Sequence, residues 1–187
     1  MGYNPSHIVG KPRNPVENVK WHEVQDFLAA LNKKSAEHGL VYRLPTEVEW
    51  EYTCRGGTIS QVQSEYSFYF AKSKSVLTPA PTNDLSSKQA NFCGEYPAGD
   101  ADTGPYLEST SEVGSYLPNP LGIYDLHGNV WEWTSTAEDS GRVIRGGGWN
   151  SEGDECAASY RFDRDPEYQD NDLGCRLLAV PVGLEPS

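Results

Sequence analysis

Asp125 and Glu132 stand seven residues apart on either side of a Gly128-Asn129 turn, within the run Gly122-Ile123-Tyr124-Asp125-Leu126-His127-Gly128-Asn129-Val130-Trp131-Glu132-Trp133. Two carboxylates flanking a tight turn can meet at one place with the carbonyls of that turn. Calcium is held by such sets, six to eight hard oxygens that include backbone carbonyls, although this spacing is not that of an EF-hand loop. The same run also reads as a turn capped by Asp125 with tryptophans packed into a core. Both readings stay open on these residues alone. The four histidines, His7, His22, His38 and His127, show no ligand spacing, and no nucleophile elbow marks a Ser-His-Asp order. His127 reads as a turn histidine with its bonds satisfied rather than as a base.

The chain has 187 residues, enough for one domain that buries most of its apolar surface. Its net charge of −12 excludes a phosphate-binding surface, which needs clustered Lys and Arg, so no nucleic acid is expected as partner. The acidic run Asp163–Asp172 could attract cations, and it could equally be a solvated face. No apolar stretch approaches the ~20 residues that span a bilayer, and the chain opens without the basic-then-apolar pattern of a secretory signal. No membrane partner is expected, and the compartment stays open. Cys54, Cys93, Cys156 and Cys175 are too few for a disulfide scaffold and include no C-x-x-C pair.

Residues 1 to about 18 are irregular, after which Trp21, Val24, Leu28 and Leu31 recur at helical spacing. Asn18 is placed to cap that helix and Gly39 to follow its end in the left-handed region. Val41 to Pro45 reads as a short extended run. Thr46 and Glu49 then form a capping box for a second helix from about Glu47 to near Cys54. From Thr58 to about Pro120 no period is sustained, a length unusual unless loops are organised by a ligand or ion. Strand-like runs follow around Val130–Thr134, Arg142–Arg145 and Cys175–Val182. The fold class is α+β: two helices early, a small antiparallel sheet late, and long loops between.

Four ordered motifs carry a resemblance: Tyr42-Arg43-Leu44-Pro45-Thr46-Glu47 with Glu49-Trp50-Glu51-Tyr52, then Gly128 to Trp133, then Arg145-Gly146-Gly147-Gly148-Trp149, then Gly174-Cys175-Arg176-Leu177. In this order they resemble the formylglycine-generating-enzyme, or sulfatase-modifying-factor, family. The resemblance implies one domain over residues 1–187 with a C-type-lectin-like fold and bound calcium. It implies Asp125 and Glu132 as side-chain ligands of one calcium, with the carbonyls of Gly128 and Val130. For a second calcium it implies Asn91 and Phe92, closed by Asp102 or the carbonyl of Tyr106. It also pairs Cys54 with Cys156 as neighbours, bonded or as two buried thiols; it assigns nothing to Cys93 and Cys175, which read by default as small buried hydrophobes. The opening residues resemble a segment that in relatives follows a strand and a helix, so those elements are expected to be missing: either the sequence is a fragment of a longer chain, or a second copy or a partner chain covers the gap.

Enzymes of that family bind copper through two cysteines in the short loop after the glycine-rich motif, and soft thiolates at short spacing are what Cu(I) requires. Here that loop reads Asn150-Ser151-Glu152-Gly153-Asp154-Glu155 and contains no cysteine. Copper is therefore not expected. The favoured reading is a noncatalytic, calcium-stabilised module, a pseudoenzyme, that presents the loops between Trp149 and Leu173 to a protein or small ligand. Trp149, Ser151, Glu152, Asp154, Tyr160, Arg161 and Tyr168 are its candidate contacts, since such side chains make adaptable recognition surfaces. The same residues could also be a solvated surface over a core of Trp149, Tyr160 and Phe162. The alternative function is an oxidase or other protein-modifying enzyme with a site of another kind.

Overall fold

The computed structural model describes residues 4–9, 11–35, 39–57 and 65–183; His38 and the first three residues lie outside that set. Helix α1 (Trp21–Ser35) turns Val24 and Leu28 inward and carries Lys33 and Lys34 in its last turn, where they complement the helix dipole. Asn18 does not cap it. Its φ of 62° directs its amide to the carbonyls of Asp170 (2.9 Å) and Leu173 (3.0 Å). The cap is local instead: Glu23 reaches back to accept from the amide of Lys20 at 3.0 Å. Asn18 thus ties the opening segment to the C-terminal loops. Gly39 takes the left-handed conformation expected of it, φ 63°.

Strand β1 (Leu40–Arg43) leads into α2 (Glu47–Cys54), whose capping box is complete: the Glu49 amide donates to Thr46 Oγ1 and the Thr46 amide to Glu49. Arg43 also grips Glu49 and holds its carboxyl at about 2, a hydrogen-bonded ion pair outweighing burial. A hairpin, β2 (Phe68–Ser73) and β3 (Val76–Thr82), stands in the stretch for which no period was expected. Phe68, Tyr69, Phe70 and Ala71 are buried, whereas β3 is exposed and carries Pro79 and Pro81, residues confined to edge strands because they cannot donate to a ladder.

The main sheet has the order β6-β5-β4-β7, from β4 (Trp131–Glu138), β5 (Gly141–Arg145), β6 (Arg161–Arg164) and β7 (Leu173–Gly174). It is mixed rather than antiparallel, since β7 runs parallel to β4, pairing Leu173 with Trp131 and Gly174 with Glu132. The last strand, β8 (Leu178–Pro181), pairs with β1. The α+β class with two helices therefore holds. Helix α1 packs on this sheet through Val24, Leu28, Trp131, Trp133 and Ile144. Two indoles pin helix and sheet together: Trp133 donates to the carbonyl of Val19 and Trp21 to that of Thr134, each at 2.9 Å.

Candidate functional site

The C-terminal loops close around a cavity of about 260 Å³. Its position follows from the sheet register. Strand β5 supplies Ile144, β4 supplies Trp131, and the neighbouring edge strand β6 supplies Phe162 and Arg164, two residues apart and so on one face. The parallel pairing of β7 with β4 brings Asp172 and Leu173 to the same place. On the remaining side the chain turns sharply after β5. Gly146 and Gly147 have φ of 101° and 74°, and a Cβ on Gly147 would stand 2.5 Å from the sulfur of Cys156. Only glycine accepts both the conformation and the approach. A 3-10 turn at Gly153–Cys156 completes the wall and contributes Glu155.

Charge and aromatic surface meet here. Arg164 lies over the rings of Phe162 and Tyr168, at 4.1 and 5.0 Å from their centroids. The Tyr168 hydroxyl donates to Asp170 at 2.7 Å. Burial, followed by the charge of Asp170, raises the carboxyl of Asp172 to about 6. The chain thus holds an acid near the midpoint of its titration at mildly acidic pH, in a cavity with aromatic walls.

Of the seven residues proposed as contacts, Ser151 and Tyr168 line this cavity. Tyr160 stands behind it, its ring 6.0 Å from that of Trp131. Trp149 stacks on Tyr106 at 6.1 Å and donates to the carbonyl of Asn171. Glu152 and Asp154 lie exposed on the 3-10 turn. Arg161 is directed elsewhere, into ion pairs with Glu47 and Glu138. Phe162 is 42% exposed and forms cavity wall, not the core under a solvated surface. The candidate contacts left out Trp131, Ile144, Asn150, Glu155 and Leu173, while Arg164, Asp170 and Asp172 were marked only as part of the acidic run Asp163–Asp172. The alternation Arg161-Phe162-Asp163-Arg164 was the one available signal for Phe162 and Arg164.

Ser151 is a structural residue of the loop. Its hydroxyl accepts from the amide of Gly148, its carbonyl accepts from that of Cys93, and it is buried. The four cysteines are free thiols, so the disulfide considered for Cys54 and Cys156 is not formed. The Cys54 sulfur lies 3.6 Å from Nε2 of His127, while that of Cys156 turns toward the carbonyl of Glu152 at 3.7 Å. His127 accepts at Nε2 from the amide of Tyr69, which leaves Nδ1 to donate to the carbonyl of Cys156 at 2.8 Å. Burial lowers its pKa to about 4, so it is a neutral core histidine. Burial pushes the thiols of Cys54 and Cys156 well above their ordinary range, and that of Cys175 up to about 12. None of these three is a thiolate at neutral pH.

The residues considered as calcium ligands divide into two groups. Glu132 is buried and its carboxylate is fully engaged: Arg176 donates to both oxygens, at 2.5 and 2.6 Å, and the Trp50 indole donates to one at 2.6 Å. Arg176 further donates to the carbonyls of Tyr124 and Asp125. The Asp125 carboxylate accepts from the amide of Gly114, and the Gly128 carbonyl accepts from that of Val130. Burial raises the pKa of Asp125. As arranged, Glu132 does not fit a calcium ion, because a guanidinium and an indole N–H already serve both its oxygens. Asn91 differs. Its Nδ2 donates to Ser109 and Asn129, and its buried Oδ1 has no partner. An orphaned acceptor of this kind fits a cation. Phe92 packs its ring in the core, and Asp102 is exposed at the rim of a different cavity, beside Lys88 and Asp100. Among the described residues, no three His, Cys, Asp or Glu side chains converge as a metal group.

Comparison with known proteins places this architecture. Residues 2–180 match the family profile described as "Sulfatase-modifying factor enzyme 1-like domain". The protein named "Inactive C-alpha-formylglycine-generating enzyme 2" from Bos taurus is 32% identical over 93% of this chain, which covers 53% of it. A formylglycine-generating enzyme from Streptomyces coelicolor is 30% identical over 91% of this chain, which covers 54% of it. The chain thus spans about half the length of these two relatives. The solved structure of Treponema denticola variable protein 1 superposes with a TM-score of 0.69 at 27% identity, covering 97% of this chain and 78% of that one.

Proposed function

The chain belongs to the sulfatase-modifying-factor, or formylglycine-generating-enzyme, family, and on that premise we propose that it is a noncatalytic member, a module that binds a protein or small ligand at its C-terminal loops. One observation carries this reading. The loop after Trp149, where the family's enzymes hold their copper ligands, has no cysteine and forms the wall of an acid and aromatic cavity instead. Its serine is spent on holding the loop, and Cys54, Cys156 and Cys175 are buried or half-buried protonated thiols. Likeness to relatives does not decide the matter, since proteins named inactive and proteins named as the enzyme match it to a similar degree. We read the frame as C-type-lectin-like, with the resemblance of the ordered motifs as support.

A fragment screen read by protein-observed NMR tests the reading. Hits are expected to move the amide signals of Ser151, Phe162 and Asp172. Hits that cluster instead along the apolar groove of Val16, Phe27 and Cys175 would overturn it.

Calcium enters the proposal at Asn91 alone, supported by its orphaned Oδ1. A ligand that binds only the folded chain raises the melting temperature. A chelator is therefore expected to lower the Tm of the native protein and to have no effect on Asn91→Ala; identical chelator responses in both would reject calcium there.

A further inference from the structure

The cavity holds a carboxylate that no cation meets at ion-pair distance. Asp172 is 8% exposed, lines the cavity, and takes part in no ion pair among the described residues. Its own backbone amide is the donor that meets it. It packs so closely over Gly148 that a Cβ there would stand 2.8 Å from its Oδ2. Buried carboxylates ordinarily keep a cation or several donors. The neighbours deepen the imbalance. Asp170 and Glu155 line the same cavity with the same sign, and Arg164, the one basic side chain lining it, offsets them through its charge but lies over the faces of Phe162 and Tyr168 and forms no ion pair with Asp172.

We propose that this cavity takes an organic cation, an alkylammonium or alkylguanidinium, with Asp172 as its counter-ion and the rings of Phe162, Tyr168 and Trp131 around its stem. The inference rests on the reading of the cavity as the ligand site and adds the class of ligand. Aromatic faces attract cations and pack well against alkyl stems. The volume, about 260 Å³, lies just under the roughly 300–1,000 Å³ of drug-sized sites. It suits a small free amine or a single basic side chain of a protein, and the two share the same chemistry.

The test is a titration of the full 15N-labelled chain at constant ionic strength with n-butylammonium, n-butylguanidinium, Nα-acetyl-lysine amide, butyrate and n-butanol. The cations are expected to shift the Ser151, Phe162 and Asp172 signals saturably, with affinity at least tenfold weaker in Asp172→Asn. Saturation by Nα-acetyl-lysine amide assigns the site to a protein side chain, and saturation by the short amines alone assigns it to a free amine; both support the proposal. Saturation by butyrate or butanol without the cations would overturn the cation while leaving the ligand site standing. Equal affinity in Asp172→Asn would remove Asp172 from the role and overturn the proposal. If none of the five moves these signals, the inference and the ligand-site reading fall together.

Discussion

Replacing Arg176 with methionine is expected to remove about 3–5 kcal/mol of folding stability, the usual result of leaving a buried charge without its partner. Glu132 is buried, and Arg176 donates to both of its oxygens while also bridging to the carbonyls of Tyr124 and Asp125. Once Arg176 is gone, the Trp50 indole remains as a donor to that carboxylate. The double variant Glu132→Gln with Arg176→Met is expected to recover most of the loss, because a neutral amide needs no counter-charge and still accepts from Trp50. Urea denaturation of the three proteins decides it. A loss below about 1 kcal/mol in Arg176→Met, the range of an exposed pair, would show that the pair is solvated.

Asp172→Asn is expected to raise stability at pH 7 by up to about 3 kcal/mol, from a shift of roughly two units, with little effect near pH 4. The folded carboxyl titrates near 6, above its ordinary 3.8. The folded chain therefore holds the extra proton between those values. The stability this supplies is complete below about 4 and is lost as pH rises through 6. Asparagine removes that loss. His127 acts in the opposite sense, since its folded value of about 4 lies below the ordinary 6.5. Its contribution is complete above 6.5 and is lost as pH falls toward 4. The two slopes oppose each other in the wild type, and Asp125, raised by burial, adds to that of Asp172. The asparagine variant should accordingly show a steeper fall in stability on acidification from 6.5 to 4.5 than the wild type. Parallel curves would mean that Asp172 titrates normally.

What was legible in the sequence was local. Thr46 and Glu49 sit three residues apart and satisfy each other within one turn, so the capping box and the start of α2 followed from spacing. The Gly39 turn followed in the same way. Asn18 failed as a cap because its backbone is held by carbonyls of Asp170 and Leu173, which spacing within the helix cannot report. The β2–β3 hairpin was hidden by Pro79 and Pro81, which erase the alternation of an exposed edge. The cavity was half legible. Ser151 and Tyr168 were found because they sit in a segment of suitable composition, but Trp131 and Ile144 reach it through sheet register. Asp172 reaches it through a parallel pairing between Trp131 and Leu173, strands far apart in the chain. The partner of Glu132 was hidden for a similar reason: a carboxylate near a turn satisfies the pattern of a calcium ligand, and that Arg176 reaches it instead is a fact of tertiary packing.

On the proposed reading this chain keeps the family's frame without its oxidase chemistry. The direct measurement adds Cu(I) to the reduced protein and then a cysteine peptide in air, following bound copper and peptide mass together. The expected result is no stoichiometric copper and an unmodified peptide. One copper per chain with oxidation of the peptide cysteine would contradict it.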